Sequence, residues 1–149
     1  MAVALDTHAV IWYLSKSDLL SLTALNAIEE ALSSGENVFF SAISLVEVIY
    51  LAEKGRLQPD SVKQLESALR ETEAGIIVMP LDSAVAASVQ RISRAAVPDM
   101  PDRIIAATAV NLGVPLVTRD RRIQAAGHRY YLVNAIIMIS ARGAKCRGG

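Results

Sequence analysis

The residues that could do chemistry in this chain are four acids placed where apolar residues belong. Asp6 closes the apolar run Val3-Ala-Leu5, and Asp120 follows the run Val114-Pro-Leu-Val-Thr118. Glu47 sits in a helical pattern from Ile43 to Glu53, on what reads as a buried stripe through Ile43, Val46 and Tyr50. Asp102 leads a second stripe formed by Ile105, Ala106, Ala109 and Leu112. An ionised carboxylate removed from water must be paired, protonated or bound to a cation. Four such groups brought together repel one another unless a hard divalent ion neutralises them, and Mg²⁺ or Mn²⁺ suits an all-oxygen donor set. The natural substrate group of such a site is a phosphate, with water as the nucleophile, so phosphodiester hydrolysis is the chemistry that fits.

Helix capping competes with this reading. Ser44-Leu-Val-Glu47 matches the S-x-x-E capping box, and in Asp99-Met-Pro-Asp102 the first aspartate suits the N-cap with Pro101 in the first turn. Capping accounts for Glu47 and Asp102 but gives no reason for Asp6 and Asp120.

The elements that must position these acids alternate along the chain. Apolar runs predict strands at Val3–Leu5, Asn37–Ser41, Gly75–Met79, Val114–Thr118 and Tyr130–Val133. Helical spacing predicts helices at Ser21–Leu32, Ile43–Glu53, Pro59–Glu73, Ser83–Arg94 and Pro101–Leu112. Strands that are apolar on both faces and alternate with helices indicate an α/β fold, a mainly parallel β-sheet flanked by α-helices. In such sheets ligands gather beyond the carboxyl ends of the strands, where Asp6 and Asp120 both fall.

At 149 residues the chain fits one domain, and 52% apolar against 20% charged residues favours a packed core over disorder. No apolar stretch approaches the roughly 20 residues of a membrane span. The start, Met1-Ala-Val-Ala-Leu-Asp6, lacks a basic segment and does not read as a signal peptide, so a cytoplasmic location is expected. A single cysteine, Cys146, excludes an internal disulfide and a cysteine-based metal site. Fifteen basic and fifteen acidic residues cancel, yet they segregate: residues 1–90 carry a net −7 and residues 91–149 a net +7. The basic half could contact phosphates, and Arg119, Arg121 and Arg122 bracket Asp120 as a polyanion partner beside a cation site would require. Arg103, next to Asp102, is a further phosphate-contact candidate. His8, Trp12 and Tyr13 read as local hydrogen bonding and packing, His128 as an exposed turn residue, and no phosphate-cradling glycine loop is present. Residues 1–134 form the expected domain, and 135–149 an extension expected to be partly disordered, with the Gly/Arg-rich end from Arg142 frayed.

Four segments together carry a family resemblance: Leu5-Asp-Thr-His-Ala-Val-Ile-Trp-Tyr-Leu14, Ser41-Ala-Ile-Ser-Leu-Val-Glu47, Pro98-Asp-Met-Pro-Asp-Arg-Ile-Ile-Ala-Ala-Thr-Ala109 and Leu116-Val-Thr-Arg-Asp120. In this order and spacing the chain resembles the PIN-domain ribonucleases, and more narrowly the VapC toxins of type II toxin-antitoxin pairs. The resemblance runs from about residue 3 to 133. It implies a three-layer sandwich and a Mg²⁺-dependent endoribonuclease, with Mn²⁺ as an alternative ion, whose acidic quartet is Asp6, Glu47, Asp102 and Asp120. Thr118 and Thr7 would support the metal site, and Asp99 matches an extra acid that part of the family has. The resemblance further implies an RNA substrate, a homodimer, and a cognate antitoxin, VapB-like, whose C-terminal segment masks the site; metal-activated water attack would leave 5′-phosphate and 3′-hydroxyl ends, and an arginine from the partner meeting the acids would fit the electrostatics. Two other readings remain open from the residues alone. One is a phosphohydrolase with Asp6 as nucleophile, although His8 stands where the usual Asp-x-Asp pattern needs a second acid. The other is a non-catalytic binding module in which the acids only cap helices and pair with arginines.

Overall fold

Each short apolar run is too short to bury itself alone, and in the computed structural model, which describes residues 1–71, 75–127 and 136–138, they line up as one sheet. The strands are β1 (Val3–Leu5), β2 (Val38–Ser41), β3 (Ile76–Met79), β4 (Leu116–Thr118) and β5 (Ile136–Met138), in the spatial order β3-β2-β1-β4-β5. All four pairings are parallel. The chain builds outward from β1 to β3 on one side, then returns to place β4 and β5 on the other. The crevice beyond the carboxyl ends of β1 and β4 is therefore a switch point of the kind where α/β sheets bind ligands.

The helices are α1 (Thr7–Leu14), α2 (Leu22–Ser33), α3 (Ala42–Glu53), α4 (Ser61–Arg70), α5 (Ser83–Ser88), α6 (Met100–Leu112) and α7 (Arg121–Gly127), with a single 3₁₀ turn at Val89–Arg91. Alternation along the strands divides the core into two layers. Val3, Leu5, Val38, Phe40 and Val117 pack with Ala9, Trp12, Ala24, Ile28 and Leu65 of α1, α2 and α4. Ala4 and Leu116 face the opposite side and pack with Ile105, Ala106 and Ala109 of α6, together with Ile92, Val97 and Ile123. The small residues of α6 bring that helix close to the sheet, and it ends where Gly113 takes the left-handed conformation, φ 68°. No described helix is long and apolar enough to cross a membrane.

Three expectations about helices change, and one strand appears that was not expected. The helix expected over Ser83–Arg94 is a six-residue helix followed by the 3₁₀ turn, and α4 occupies only part of the expected Pro59–Glu73. The face of α3 is rotated from the one the sequence suggests: Ser44 and Val48 are buried, whereas Val46 and Tyr50 are 58% and 57% exposed. The fifth strand is Ile136–Met138, paired in register with Leu116–Thr118, so the sheet draws on residues beyond 134. The strand expected at Tyr130–Val133, along with His128 and Cys146, lies outside the described residues.

Candidate active site

Asp6 leaves the end of β1 at the first residue before α1. Its Oδ1 accepts a hydrogen bond from the Ala9 amide at 2.8 Å, which makes it the N-cap of α1. It is only 7% exposed, and burial pushes its carboxyl above the ordinary aspartate value. Hydrogen bonds from Thr118 and the Ala9 amide act in the opposite direction. Thr118 ends β4 fully buried and also accepts the Asp120 amide at 3.0 Å, so one hydroxyl ties the two strand-end aspartates together. Asp120 caps the start of α7, its Oδ1 accepting from the Arg122 and Ile123 amides at 2.7 and 3.2 Å.

Glu47 comes from the second turn of α3. Its Oε1 lies 2.7 Å from Thr7 Oγ1, and Thr7 Oγ1 lies 2.9 Å from Ser44 Oγ. Each hydroxyl has one proton, so donation from Thr7 to the carboxylate leaves Thr7 to accept from Ser44. Glu47 is thus held from α1 by a buried relay that begins on its own helix. Ser44, wholly buried, is a site residue that the sequence reading assigned only to a capping box; its spacing of three from Glu47 on the same helix face was the available signal.

Asp102 enters from the first turn of α6, where Asp99 is the N-cap: Asp99 Oδ2 accepts the Asp102 amide at 3.2 Å. The Asp102 carboxyl itself makes no cap. It is pushed up to about 7, first by burial and then by the negative charges of Asp99, Asp120, Glu47 and Asp6. The same acids feel one another because all five line a single cavity of about 540 Å³, together with Thr7, His8, Ile105, Arg119, Arg121 and Arg122.

Capping is therefore distributed in the reverse of the expected way. Ser41, not Ser44, caps α3, accepting from the Ile43 amide at 3.2 Å, so Glu47 has no capping function. Asp6 and Asp120, the acids that capping seemed not to explain, are caps. Glu47 and Asp102 cap nothing, yet they line the cavity with the three acids that do. A purely structural account thus leaves Glu47 and Asp102 without a cause.

The arginines divide. Arg119 stacks over the Trp12 ring, 4.7 Å from its centroid, and Trp12 in turn lies 5.6 Å from the His8 ring. Arg121 and Arg122 line the cavity with exposed side chains and form no ion pair among the described residues. Arg103 is not among the residues that line the cavity. Its Nε and Nη2 donate to the Ile92 and Val89 carbonyls at 2.8 to 3.1 Å, which ties α6 to the end of the 3₁₀ turn and holds the guanidinium out of the cavity.

The donor set suits a hard divalent cation in type and charge: all oxygens, drawn from five acids whose mutual repulsion is already felt at Asp102. Among the described residues, no three carboxylates converge tightly enough to ligate one ion as they stand, so binding requires side-chain rotation into the cavity.

With this geometry established, comparison with known proteins places the chain. The PIN-domain family model matches residues 3–129. A ribonuclease of Mycobacterium tuberculosis, VapC22, is 32% identical over 126 residues, covering 85% of this chain and 92% of that protein. Among solved structures, VapBC2 from Rickettsia felis, bound to a DNA fragment from its promoter, superposes with a TM-score of 0.64 at 17% identity, covering 91% of this chain and 96% of the matched one. FitAcB from Neisseria gonorrhoeae gives a TM-score of 0.57 at 25% identity, over 86% and 94% of the two chains. A five-stranded parallel sheet with its acids gathered over the switch point, matched along nearly its whole described length, shows that this chain belongs to the PIN-domain family.

Proposed function

We propose that this protein is a divalent-metal-dependent endoribonuclease, a VapC-type toxin restrained by a cognate antitoxin. The observation that carries the reading is the convergence of Asp6, Glu47, Asp102 and Asp120, from four different elements, on one cavity at the carboxyl rim of the sheet. Kinship with VapC22, named a ribonuclease, and the likeness to toxin-antitoxin complexes point the same way.

The four carboxylates, with Asp99 as a fifth candidate, would hold Mg²⁺ or Mn²⁺. The bound ion supplies Lewis-acid polarisation of the scissile phosphate and lowers the pKa of water at the site. Each residue then has a separable task. Asp6 and Asp120 are fixed by their caps and by Thr118, so their carboxylates are oriented before any ligand arrives. Thr7 and Ser44 hold Glu47 in place. Asp102, whose carboxyl is raised to about 7 by burial and by the neighbouring acids, is the ligand whose charge a bound cation would relieve most. Arg121 and Arg122, on the wall of the same cavity, offset the acids and favour a phosphodiester there.

The partners follow from other surfaces. A groove of about 570 Å³ between α1 and α2, lined by Trp12, Tyr13, Leu20, Leu22 and Leu25 among others, gives an antitoxin segment an apolar seat. Trp12 lines this groove while the Arg119 stacked on it lines the acid cavity, so a segment seated in one abuts the other. On α3, Val46, Ile49 and Tyr50 stand exposed on one helix face, as a homodimer contact would need.

The test is cleavage of total and synthetic RNA by the purified chain with Mg²⁺ or Mn²⁺, with EDTA and with Asp6→Asn as controls. Expected are products with 5′-phosphate and 3′-hydroxyl ends, lost in EDTA and in the variant. Turnover of phosphate monoesters without RNA cleavage, or RNA cleavage indifferent to both controls, would overturn the reading.

A further inference from the structure

His8 stands on the wall of the acid cavity without capping a helix or holding a neighbour in place. Its imidazole is exposed, and among the described residues no hydrogen bond reaches it, so the local hydrogen bonding expected from the sequence is not made. What fixes the ring is Trp12, one helical turn further along α1, with 5.6 Å between ring centroids and the planes tilted by 55°. Trp12 is only 8% exposed and lines the apolar groove instead of the acid cavity, so it serves as a prop and leaves the imidazole as the accessible face. The same indole carries the Arg119 guanidinium, 4.7 Å from its centroid, and Arg119, like His8, is exposed and lines the acid cavity.

Single-stranded RNA presents two chemically different parts to such a wall. Its phosphates are repelled by carboxylates and are attracted by cations. Its bases are uncharged, have a π-face on each side and are free to stack on a planar side chain. Among the described residues, His8 carries the only aromatic ring that lines the acid cavity. It follows Asp6 and Thr7 directly, and all three line the cavity, so a phosphodiester held among the acids has its neighbouring nucleoside against the same wall. A ring already packed on Trp12 gives up little rotamer freedom when a base settles on it.

We infer that His8, propped on Trp12, is the platform on which a nucleobase beside the scissile phosphate stacks, with Arg119 on the same indole supplying a positive charge next to it. The inference rests on the ribonuclease reading for the identity of the ligand. His8 positions the strand and takes no part in the chemical step.

The experiment uses the full chain with His8→Ala and His8→Phe, and two fluorescein-labelled probes: a short single-stranded RNA and an abasic ribose-phosphate oligomer of the same length. Binding is followed by polarisation at low salt in EDTA, and cleavage of the RNA in Mg²⁺ is followed in parallel. His8→Ala should weaken RNA binding roughly tenfold, the scale of one base stacked on an aromatic ring, and should raise KM with little change in kcat. His8→Phe, which keeps a π-face and has no ring nitrogen, should retain most of the affinity. The abasic oligomer should bind all three chains alike, because it has nothing to stack. Unchanged RNA affinity and KM in His8→Ala would overturn the inference. So would an equal loss on both probes, which would place the contact on the backbone, and so would a loss that phenylalanine does not restore, which would assign it to the ring nitrogens. If the binding pattern appears but no RNA is cut with either Mg²⁺ or Mn²⁺, the stacking platform stands and the ribonuclease reading falls; if RNA is cut and His8 makes no difference, only the platform falls.

Discussion

Asp102 concentrates the electrostatic tension of the site. Its carboxyl is raised from an ordinary value of 3.8 to about 7, so between these limits the folded protein holds a proton that the unfolded chain has released. Stability therefore falls as pH rises from about 4 through 7, and Asp6, shifted the same way, adds to the fall. In EDTA the wild type should melt at a lower temperature at pH 8 than at pH 5. Asp102→Asn should flatten this dependence and raise the melting temperature at pH 8; a variant whose profile parallels that of the wild type would contradict the assignment. Mn²⁺ competes with the same proton, so its stabilising effect should grow as pH rises through about 7 in the wild type and shrink in Asp102→Asn. Thr7 allows a second test at this scale. Thr7→Val removes the donor to Glu47 and leaves Ser44 buried without its partner. Loss of an orienting partner of this kind weakens metal binding by about 10 to 100-fold. Calorimetric titration of Mn²⁺ should show that loss in Thr7→Val, with Thr7→Ser retaining most of the affinity. The types and positions of the four acids were legible in the sequence because charge in an apolar pattern is conspicuous. The Ser44–Thr7–Glu47 relay was not, because it joins residues whose contact depends on how two helices cross.

Helix starts are the elements through which the site is built, and each has two functions that substitution can separate. Asp6 caps α1 and also faces the cavity. Asparagine caps about as well as aspartate and carries no charge, whereas alanine does neither. Asp6→Asn should keep or raise the metal-free stability and lose RNA cleavage. Asp6→Ala should lose cleavage and about 1 kcal/mol of stability as well, measured by urea denaturation. Equal stabilities for the two would remove the cap from the account. Where a helix starts is also where sequence and structure part company. An S-x-x-E match at Ser44 suggested a start three residues too late, because Ser41 is an equally good cap and lies directly at the end of β2. The helix starts at Ala42 and packs with Ser44 and Val48 buried and Val46 and Tyr50 exposed. The pattern from Ser83 to Arg94 looks uniform in sequence, yet after Ser88 it tightens into a 3₁₀ turn whose Val89 carbonyl, with that of Ile92, accepts from Arg103. The side chain that ties down this turn lies 14 residues beyond Val89 and 11 beyond Ile92, and no local propensity encodes such a contact.

At the scale of the whole molecule, alternation of apolar runs and helical spacing was enough to indicate a parallel sheet between helices, because strands buried on both faces have no polar side to display. The strand order was not readable, since order depends on which side of β1 each crossover returns to. The edge strand Ile136–Met138 was not foreseen for a related reason: Ala135–Ile139 is one more short apolar run, and only its pairing with β4 identifies it as a strand of the sheet. That order sets two cavities side by side, the acid cavity over β1 and β4 and the apolar groove between α1 and α2, with the Trp12–Arg119 stack between them. If an antitoxin segment seats in the groove, binding and catalysis are separable at Leu22, which lines the groove, is 58% exposed and does not line the acid cavity. Leu22→Glu adds an acid to the first turn of α2, where the helix dipole favours it, so the fold should tolerate the change. The variant should cleave RNA with wild-type kinetics when alone and should escape inhibition, needing roughly tenfold more antitoxin for half-maximal suppression, the loss expected when one apolar contact is replaced by a desolvated charge. Equal suppression of wild type and variant across an antitoxin titration would move the docking surface away from α1 and α2.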